Sequence, residues 1–597
     1  MTGGIDIKTI FTALNAKYIH SSLALRSIKK YCAKFGIDID VAEFTINNSE
    51  DFIFSEIYKM KPDVIGFSCY IWNMEMILNI ASILRKILPE IKIIFGGPEV
   101  SYEFDYILEN KLADIIIVGE GEKTAFELIS FLEGKNNAVS NLDEIDGIAY
   151  LENDNVVVTK PRKPIELDEL PFVYDDFSMD ELQNKIIYYE ASRGCPYRCQ
   201  YCLSSVEQGV RFLSRERVFS DLKFFIDKKV KQVKFVDRTF NCNKKFAIDI
   251  WNFLIDNDNG VTNFHFEVSA DILDDEMFAV LKTARKQLFQ LEIGVQSTNL
   301  DTLSAIQRKT DLDDLFAKVL KIKDFKNIHQ HLDLIAGLPF ENYSSFAKSF
   351  DDVYSVYPEQ LQLGFLKLLR GSGLRRDAEK YGIVYNDKAP YEVLYTKEVS
   401  FDEMMMLKYI EEMVETYYNS GKCINTVKYI VKKFGSAFLF FETLAKYWVD
   451  HKYHEVSHNK MKLYTILYEF CSLHIVDNEI EVLKDILKFD LFLNDNIKNF
   501  PYWLEQNDFD VTKNFARNFF EEEYNVQKFV PHLKEFNSKQ ITRMCHIEKF
   551  NYDVINSIEN DFSQINQKEN FILFDYYGKN DLLGNSLYYL LEEENGV

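Results

Sequence analysis

The sequence predicts an α/β fold in three parts: a doubly wound parallel sheet, a partial (β/α)6 barrel and a mostly α-helical C-terminal domain. Short β-branched runs alternate with helical segments over about the first 385 residues, a pattern typical of parallel sheets covered by helices. From about residue 390 long amphipathic helices follow, such as "FDEMMMLKYIEEMVETYYNS". We place the domains at residues 1–138, 185–385 and 386–597, with a linker at 139–184.

The composition is that of an ordered protein with several cores. Of 597 residues, 47% are hydrophobic and 27% are charged. The formal net charge of −24 repels nucleic-acid phosphate at long range, so we expect a small-molecule substrate and no nucleic-acid partner. The chain has no signal-like N-terminus, no long apolar run and nine cysteines, six of them scattered singly. These features predict a cytoplasmic protein without a membrane span.

Four loops of residues 1–138 are candidates for ligand binding, because ligands bind at the carboxyl ends of parallel strands. They are "NAKYIHSS" (15–22), "SCYIWN" (68–73), "GGPEVS" (96–101) and "GEGE" (119–122). Their glycines permit close approach of the backbone to a bulky ligand, and ordinary strand-to-helix turns are the alternative. The candidate residues are Asn15, Ser68, Gly96, Gly97, Gly119 and Gly121.

The linker and the second series of strands have different patterns. Residues 139–184 contain scattered Pro and acidic residues and predict a docked linker with a small β excursion at "GIAYLENDNVVVTK". Six strand-helix units then run from "KIIYYEASRGC" to "QLQLGFLKLLRG". They predict an incomplete parallel barrel with its active site at the carboxyl ends of the strands.

Three cysteines, Cys195, Cys199 and Cys202, follow the first predicted barrel strand in "CPYRCQYC". A structural zinc site usually has four protein ligands, whereas a four-iron cluster held by three thiolates leaves one iron open for chemistry. No neighbouring cysteine or histidine in the sequence supplies a fourth ligand. The spacing therefore favours an iron-sulfur cluster over a zinc site.

The motif resembles the CxxxCxxC motif of the radical S-adenosylmethionine (radical SAM) superfamily. The resemblance implies a [4Fe-4S] cluster on the three cysteines that reduces bound S-adenosylmethionine and yields a 5′-deoxyadenosyl radical, with flavodoxin or ferredoxin as the kind of electron donor. It also implies that Tyr201 lies against the adenine and that Glu267 binds the ribose hydroxyls. Four residues would complete the cofactor pocket, although each could instead pack in the barrel: Gln296, Ser297, Ile335 and Gly337.

The sequence departs from the superfamily pattern after the second barrel strand. The glycine-rich "GGE" that holds the methionine amine is replaced by "FVDRTFN", in which Asp237 is the only carboxylate. We expect Asp237 to act catalytically in the cofactor or substrate site, with an ion pair to Arg238 or another neighbour as the alternative. Arg308 in "IQRKTD" is a candidate for the methionine carboxylate.

Residues 1–138 resemble the Rossmann-like cobalamin-binding domain of cobalamin-dependent radical SAM proteins. The Asp-x-His-x-x-Gly fingerprint is absent, because His20 in "YIHSS" lacks both the Asp and the Gly. We therefore expect His20 to be a helix-start or pocket-wall residue and no histidine to ligate cobalt. The resemblance implies methylation of an unactivated carbon of a small molecule. Radical cyclisation or rearrangement without methyl transfer, and a non-catalytic cluster or cobalamin sensor, are the alternatives.

Residues 386–597 resemble the C-terminal domain of unknown function of the same family, which we expect to close the barrel mouth and to select the substrate. The stretch "DHKYHEVSH" places His451, His454 and His458 on one predicted helical face, at a spacing that could bind a metal. A solvated face at a helix end is the alternative that we favour. The cysteines of this region are too dispersed for a second cluster.

Overall fold

The structure is a computed structural model that describes residues 7–135, 141–206, 209–497, 500–504, 509–578 and 585–591. The chain divides into two units, the first made of Met1–Ile328, Gly337–Asn342 and Phe365–Ser400, and the second of His329–Ala336, Tyr343–Gly364 and Phe401–Val597. The predicted boundary at 138/139 lies outside the described residues. Within these ranges, the helices fall short of the length and apolar character that a membrane crossing needs.

The N-terminal part of the first unit is a seven-stranded sheet with helices on both faces. Its strands are Thr9–Asn15 (β1), Asp40–Thr45 (β2), Val64–Ser68 (β3), Lys92–Gly96 (β4), Ile115–Ile117 (β5), Ile148–Glu152 (β6) and Asn155–Val158 (β7). Its helices are Leu23–Ala33 (α1), Glu50–Met60 (α2), Met74–Ile87 (α3), Asp105–Glu109 (α4) and Gly121–Leu132 (α5). The strand order is β2-β1-β3-β4-β5-β6-β7, with β1 to β5 parallel and β6 and β7 antiparallel.

Burial on both faces explains why these strands read as continuous apolar runs. Every residue of β3 is buried, as parallel strands covered on both faces require. Ile57 of α2 and Ile77 of α3 belong to the core on one face, whereas Leu25 of α1 and Leu128 of α5 belong to the core on the other. The predicted doubly wound sheet is confirmed. The β excursion predicted within residues 139–184 forms β6 and β7, which extend this sheet.

Four parallel strands and one hairpin of the predicted barrel lie in the first unit. The strands are Ile187–Tyr189 (β8), Ser192–Cys195 (β9), Gly209–Phe212 (β10), Gln232–Phe235 (β11), Asn263–Val268 (β12) and Phe289–Gln296 (β13). The helices are Met179–Asn184 (α6), Arg215–Asp227 (α7), Lys244–Asp256 (α8), Asp275–Thr283 (α9), Leu300–Ala305 (α10) and Leu312–Lys323 (α11). Strands β8, β11, β12 and β13 pair in parallel in that order, and β9 pairs antiparallel with β10. The stretch "KIIYYEASRGC", predicted as one strand, therefore forms two.

The last two predicted barrel strands group with the second unit. They are His329–Ala336 (β14) and Gln360–Phe365 (β15), with Tyr343–Tyr354 (α12) between them. The following elements belong to the first unit and are Gly373–Arg376 (α13), Ala378–Tyr381 (α14), Val384–Tyr385 (β16) and Val393–Tyr395 (β17). All six strands of the predicted α/β series are thus present.

The second unit continues as helices and ends in a small sheet. Its remaining helices are Phe401–Val414 (α15), Ile424–Phe434 (α16), Ala437–Asp450 (α17), Lys460–Ser472 (α18), Ile480–Asn494 (α19), Phe509–Glu521 (α20), Glu523–Phe529 (α21), Ser538–Met544 (α22) and Val554–Glu559 (α23). Its antiparallel sheet contains Cys545–Tyr552 (β18), Gln567–Asp575 (β19) and Leu587–Leu591 (β20). The sequence predicts only "ENFILFDYYGKN", which overlaps β19 and whose residues 579–580 lie outside the described ranges.

Gly97 offers a test of how tightly the loop after β4 packs. Its φ is +117°, and an added Cβ would lie 2.5 Å from the carbonyl oxygen of Cys69. We expect Gly97→Ala to lower the free energy of unfolding by about 1–3 kcal/mol, through strain and through displacement of that carbonyl. The measurement is the urea midpoint of the whole chain.

Gly36→Ala is the matched control for this prediction. Gly36 also has a positive φ, +75°, but an added Cβ would have no neighbour within 4 Å. Gly36→Ala therefore introduces the backbone strain without the clash, and it should lower the free energy of unfolding by less than Gly97→Ala does, about 1 kcal/mol. Equal losses in the two variants would contradict the close packing at Gly97.

Candidate functional site

A cavity of about 1040 Å3 lies at the carboxyl ends of the parallel strands β1, β3, β4 and β5. This volume is at the upper end of the range of about 300–1,000 Å3 typical of small-molecule sites, so it suits a large ligand or more than one ligand. From the barrel side, Cys202, Arg238 and Glu267 border it. All six residues predicted from the N-terminal loops line the same cavity: Asn15, Ser68, Gly96, Gly97, Gly119 and Gly121.

The strand β9 leads directly into residues 195–202, which we call the cysteine loop. Gly194 has φ +109°, and an added Cβ would lie 2.2 Å from the carbonyl oxygen of Gly209 on the paired strand β10. Only glycine fits this close approach, so the hairpin fixes where Cys195 begins the loop. Cys199 is buried, Cys195 and Cys202 are half-buried, and all three thiols are free of disulfides.

Backbone hydrogen bonds anchor the middle of the cysteine loop. The Gln200 N–H donates to the carbonyl of Ile306 at 3.0 Å, and the Leu374 N–H donates to the carbonyl of Gln200 at 2.8 Å. The Ser205 hydroxyl lies 2.9 Å from the Cys199 carbonyl and 2.6 Å from the Cys202 carbonyl. The loop is therefore held mainly through its main chain, which leaves the thiols available as ligands.

Arg308 lies beside the cysteine loop. Its guanidinium donates to the carbonyl of Gly294, and it interacts with Cys199 and Tyr201. Burial raises the pKa of the Cys199 thiol, and Arg308 opposes this rise. The buried Nε of Arg308 has no hydrogen-bond partner in the described structure. An unsatisfied buried donor of this kind suits an anionic ligand group.

Asp237 is 1% exposed, and both of its carboxylate oxygens hold the start of β9. Oδ2 accepts a hydrogen bond from the Ala191 N–H at 3.0 Å, and Oδ1 accepts one from the Ser192 hydroxyl at 2.5 Å. Burial raises the pKa of Asp237 to about 7. Arg238 pairs instead with Glu267, at 3.5 Å between Nη1 and Oε1, so the alternative ion pair of Asp237 with Arg238 is not formed. The geometry is that of a positioning residue behind the cysteine loop.

The predicted pocket residues on later strands occupy different positions. Ser297 is fully buried, and its hydroxyl donates to Glu341 at 2.6 Å and accepts from the Asn299 N–H at 2.9 Å. It thus ties the loop after β13 to residues 337–342 rather than facing the cavity. Gln296 ends β13 with φ +73°, Gly337 has φ +86°, and Ile335 lies on β14 in the second unit.

Arg193 forms an ion-pair network that the sequence did not predict. It lies 2.9 Å from Glu122, 3.2 Å from Glu120 and 2.8 Å from Glu190. Glu120 and Glu122 belong to the "GEGE" loop of the N-terminal sheet, whereas Arg193 precedes the cysteine loop by two residues. Burial by itself would raise the pKa of Glu122, but Arg193 outweighs it and the pKa is lowered. The sequence signals that could have indicated this network are the two glutamates of "GEGE" and the arginine of "SRGC".

His20 lines the cavity, as expected, and contacts Tyr188 of strand β8. Its Nδ1 lies 2.7 Å from the hydroxyl of Tyr188. Burial lowers the pKa of His20, with Lys17 and Lys234 contributing, so the neutral imidazole is favoured. A ring nitrogen bonded to a tyrosine matches the expectation that His20 is a pocket-wall residue.

The predicted helical face of three histidines is wrong. Helix α17 ends at Asp450, Lys452 adopts a left-handed conformation, and the chain continues as a 3-10 turn and a loop. His451 Nδ1 lies 2.9 Å from the Tyr447 carbonyl, and His458 Nε2 lies 2.9 Å from the Tyr453 carbonyl. Among the residues that the structure describes, none of these histidines belongs to a group that could hold a metal ion.

Arg193→Gln tests the network between the "GEGE" loop and the cysteine loop. The Glu122 side chain is only 6% exposed, so losing its cation should cost about 3 kcal/mol of unfolding free energy at pH 7. Because the pKa of Glu122 is lowered in the fold, its ionised form stabilises the wild type above pH 4.5, and this stabilisation is lost at lower pH. Without Arg193, burial raises the pKa of Glu122, so the ionised form destabilises the variant at pH 7 and protonation relieves this as the pH falls. The difference in unfolding free energy between the wild type and Arg193→Gln should therefore narrow as the pH falls from 7 towards 4.5.

Urea midpoints at pH 7 and pH 5 measure this gap. Glu122→Gln added to Arg193→Gln should recover part of the loss, because no buried charge is then left unpaired. A gap that stays constant with pH, or no recovery in the double variant, would contradict the network as described.

Three family models match the chain in succession. The B12 binding domain model matches residues 10–129, the Radical SAM superfamily model matches residues 189–353, and the model of a protein of unknown function, DUF4080, matches residues 379–574. The order is the one predicted from the sequence motifs.

Known proteins with related sequences include methyltransferases. An uncharacterized methyltransferase of Pyrococcus horikoshii is 34% identical over 215 residues, 34% of this chain and 46% of the relative. The cobalamin-dependent radical SAM methyltransferase TokK of Streptomyces tokunonensis is 25% identical over 344 residues, 54% of this chain and 50% of the relative. The chain thus spans about half the length of the curated relatives that it matches.

A solved structure shows the same fold. The cobalamin-dependent S-adenosylmethionine radical enzyme OxsB, with aqua-cobalamin and S-adenosylmethionine bound, superposes with a TM-score of 0.58 at 16% identity, covering 81% of this chain and 79% of OxsB. The predicted α/β fold class is confirmed. The chain therefore contains a B12-binding domain, a Radical SAM domain and a C-terminal DUF4080 domain, in this order.

Proposed function

We propose that this chain is a cobalamin-dependent radical SAM methyltransferase that methylates an unactivated carbon of a small molecule. One observation carries the proposal: a single cavity is lined both by the strand-end loops of the B12-binding domain and by Cys202 of the cysteine loop. Two cofactors bound at these positions would face the same substrate. Relatives named as methyltransferases support methyl transfer, whereas others are named as cyclases, so cyclisation is the alternative reaction.

The cysteine loop fits a three-thiolate cluster. Its three thiols are free, its main chain is fixed at Gln200, and Cys202 opens onto the cavity. We assign the [4Fe-4S] cluster to Cys195, Cys199 and Cys202, which leaves one iron open for S-adenosylmethionine. The partnerless Nε of Arg308 supports a role for this residue at the methionine carboxylate.

The strand-end loops fit a large flat ligand such as cobalamin. The close packing of Gly97 against Cys69 and the open space above Gly119 leave the cavity floor free of side chains at these points. His20 is bonded to Tyr188 and not presented as a cobalt ligand. We therefore propose that cobalamin binds without a histidine ligand on its lower face.

When bound, the cluster would supply the electron that cleaves S-adenosylmethionine, and cobalamin would supply the methyl group. The chain's own residues bind, orient and exclude water. Glu267, whose pKa is raised by burial, faces the cavity and can accept ribose hydroxyls, with Arg238 beside it. Asp237 positions β9, and Ser297 fixes the loop after β13 through Glu341. We propose that Tyr201, which interacts with Cys199, lies against the adenine.

The substrate is proposed to be a polar small molecule. Lys234, Glu190 and Arg238 border the barrel side of the cavity, so a substrate with charged or hydrogen-bonding groups is favoured there. The net charge of −24 disfavours nucleic acid. We further propose a cytoplasmic location, where nine unpaired cysteines and a flavodoxin or ferredoxin as electron donor are compatible.

Cys199→Ala tests whether the cysteine loop starts the radical reaction. After anaerobic reconstitution with iron and sulfide, the wild-type chain with S-adenosylmethionine and dithionite should release 5′-deoxyadenosine, detected by mass spectrometry. The variant should fall to background, because two thiolates no longer hold the cluster.

Cys32→Ala is the matched control, because Cys32 is a buried free thiol of helix α1 outside the cysteine loop. It should keep 5′-deoxyadenosine release. An intact cluster that never cleaves S-adenosylmethionine, with or without candidate substrates, would favour the sensor interpretation over the proposed enzyme.

Gly119→Asn tests the cobalamin assignment. Gly119 has φ +82°, which asparagine tolerates, and an added side chain would project into free space at the cavity wall. Overlap with the ligand should weaken hydroxocobalamin binding by about 5- to 150-fold, which corresponds to about 1–3 kcal/mol. Titration of the chain with hydroxocobalamin measures the dissociation constant.

Gly134→Asn is the control for this substitution. Gly134 has φ +65° and equally open surroundings, but it follows helix α5 and does not line the cavity. It should bind hydroxocobalamin as the wild type does. Equal affinities of both variants and the wild type would contradict cobalamin binding in this cavity.

A further inference from the structure

Residues 366–395, which we call the brace, contact both the cysteine loop and a loop of the B12-binding domain. On the first side, the Leu374 N–H donates to the Gln200 carbonyl at 2.8 Å. Gly373 lies against the Gln200 side chain, since an added Cβ would lie 1.9 Å from its Oε1. The brace therefore rests on the segment between the second and third cysteines.

On the other side, the brace binds residues 97–103, which follow β4 and border the cavity. Arg375 forms two hydrogen bonds with the carboxylate of Glu103, at 2.8 Å and 2.7 Å. A bidentate pair of this kind fixes orientation as well as distance. Gly371 lies against the ring of Tyr102, because an added Cβ would lie 2.6 Å from it.

A second, buried contact supports the same loop. Glu99 is 4% exposed and accepts a hydrogen bond from the Tyr391 hydroxyl, and the Nε of Arg370 lies 3.4 Å from it. The guanidinium groups of Arg375 and Arg370 lie 4.7 Å and 5.4 Å from the centre of the Tyr391 ring. Both arginines thus hold the loop through charge and through the aromatic ring.

We propose that the brace couples the two cofactor sites thermodynamically. Assembly of the cluster then strengthens cobalamin binding, and bound cobalamin in turn stabilises the cluster. Three thiolates on one cluster fix the cysteine loop, and with it Gln200 and Leu374. The brace then holds residues 97–103 in the conformation that borders the cavity. Ordering one site in this way reduces the cost of ordering the other. Arg370 and Arg375 act as positioning residues, and the inference rests on the proposed function.

Such a coupling is reciprocal and measurable without turnover. The dissociation constant of hydroxocobalamin is measured for the cluster-free chain and for the chain reconstituted with iron and sulfide. In the wild type we expect binding to be about fivefold or more tighter with the cluster, the lower end of typical coupling. Hydroxocobalamin should also slow the loss of the cluster to a chelator by a comparable factor.

The variants Arg370→Gln with Arg375→Gln, and Glu103→Gln alone, should bring the ratio of the two dissociation constants close to one. Glu103→Gln is nearly isosteric, and the Glu103 side chain is 48% exposed, so the change is expected to leave the fold intact. Glu109→Gln, an exposed glutamate at the end of helix α4, is the control and should keep the wild-type ratio. A merely structural role of the brace would weaken binding in both states and leave the ratio unchanged.

The outcomes separate this inference from the proposed function. Absence of hydroxocobalamin binding to the wild type in both states would overturn the proposed function and the inference with it. Binding with a ratio near one in the wild type, or an unchanged ratio in Glu103→Gln and in the double variant, would overturn only the coupling. A ratio that collapses in these variants and persists in Glu109→Gln would support it.

Discussion

The ion pairs of Arg193 are the constraint on which the candidate site depends. Arg193 forms ion pairs with Glu120 and Glu122 of the B12-binding domain and lies two residues before Cys195, the first residue of the cysteine loop. A charge network of this kind, with Glu122 almost fully buried, is costly to disrupt from either side. The domain that carries the strand-end glycines and the loop that carries the thiols are thereby held at one cavity.

Several polar groups around the site form hydrogen bonds that fix its loops and strand ends. Asp237 supports the start of β9, Ser297 and Glu341 join two loops, and the main chain of Gln200 anchors the cysteine loop. Rigid support of this kind matters for the proposed reaction, because reacting groups must be positioned more closely than a flexible loop allows. The residues that line the cavity are then available to bind the ligand.

Much of the fold follows from the sequence because its signals are local. Continuous apolar runs between helical patterns predict β1, β3 and β4, and the spacing of Cys195, Cys199 and Cys202 predicts the cluster site. The six glycine, serine and asparagine positions predicted at the strand ends line one cavity, and their role in ligand binding stays a prediction. The apolar runs and the cysteine spacing depend only on neighbours in the chain, and the general geometry of parallel sheets brings their strand-end loops together.

The features that the sequence did not predict depend on distant partners. The division of "KIIYYEASRGC" into β8 and β9 follows from pairing of β9 with β10. Strands β18 and β20 form by pairing with β19. Whether Asp237 faces a ligand or the backbone is decided by burial, which the residue type alone does not give. The histidines of "DHKYHEVSH" failed as a helical face because α17 ends at Asp450, where no proline or glycine marks the end.

The main-chain anchoring of the cysteine loop has a consequence for how the loop tolerates change. Pro196 and Arg198 are exposed, and the hydrogen bonds that hold the loop at Gln200 use backbone atoms. Substitutions at the two exposed positions therefore leave the scaffold of the three thiols in place. Variation at these two positions can therefore alter the charge and shape of the exposed surface of the loop without rebuilding the scaffold that holds its three thiols.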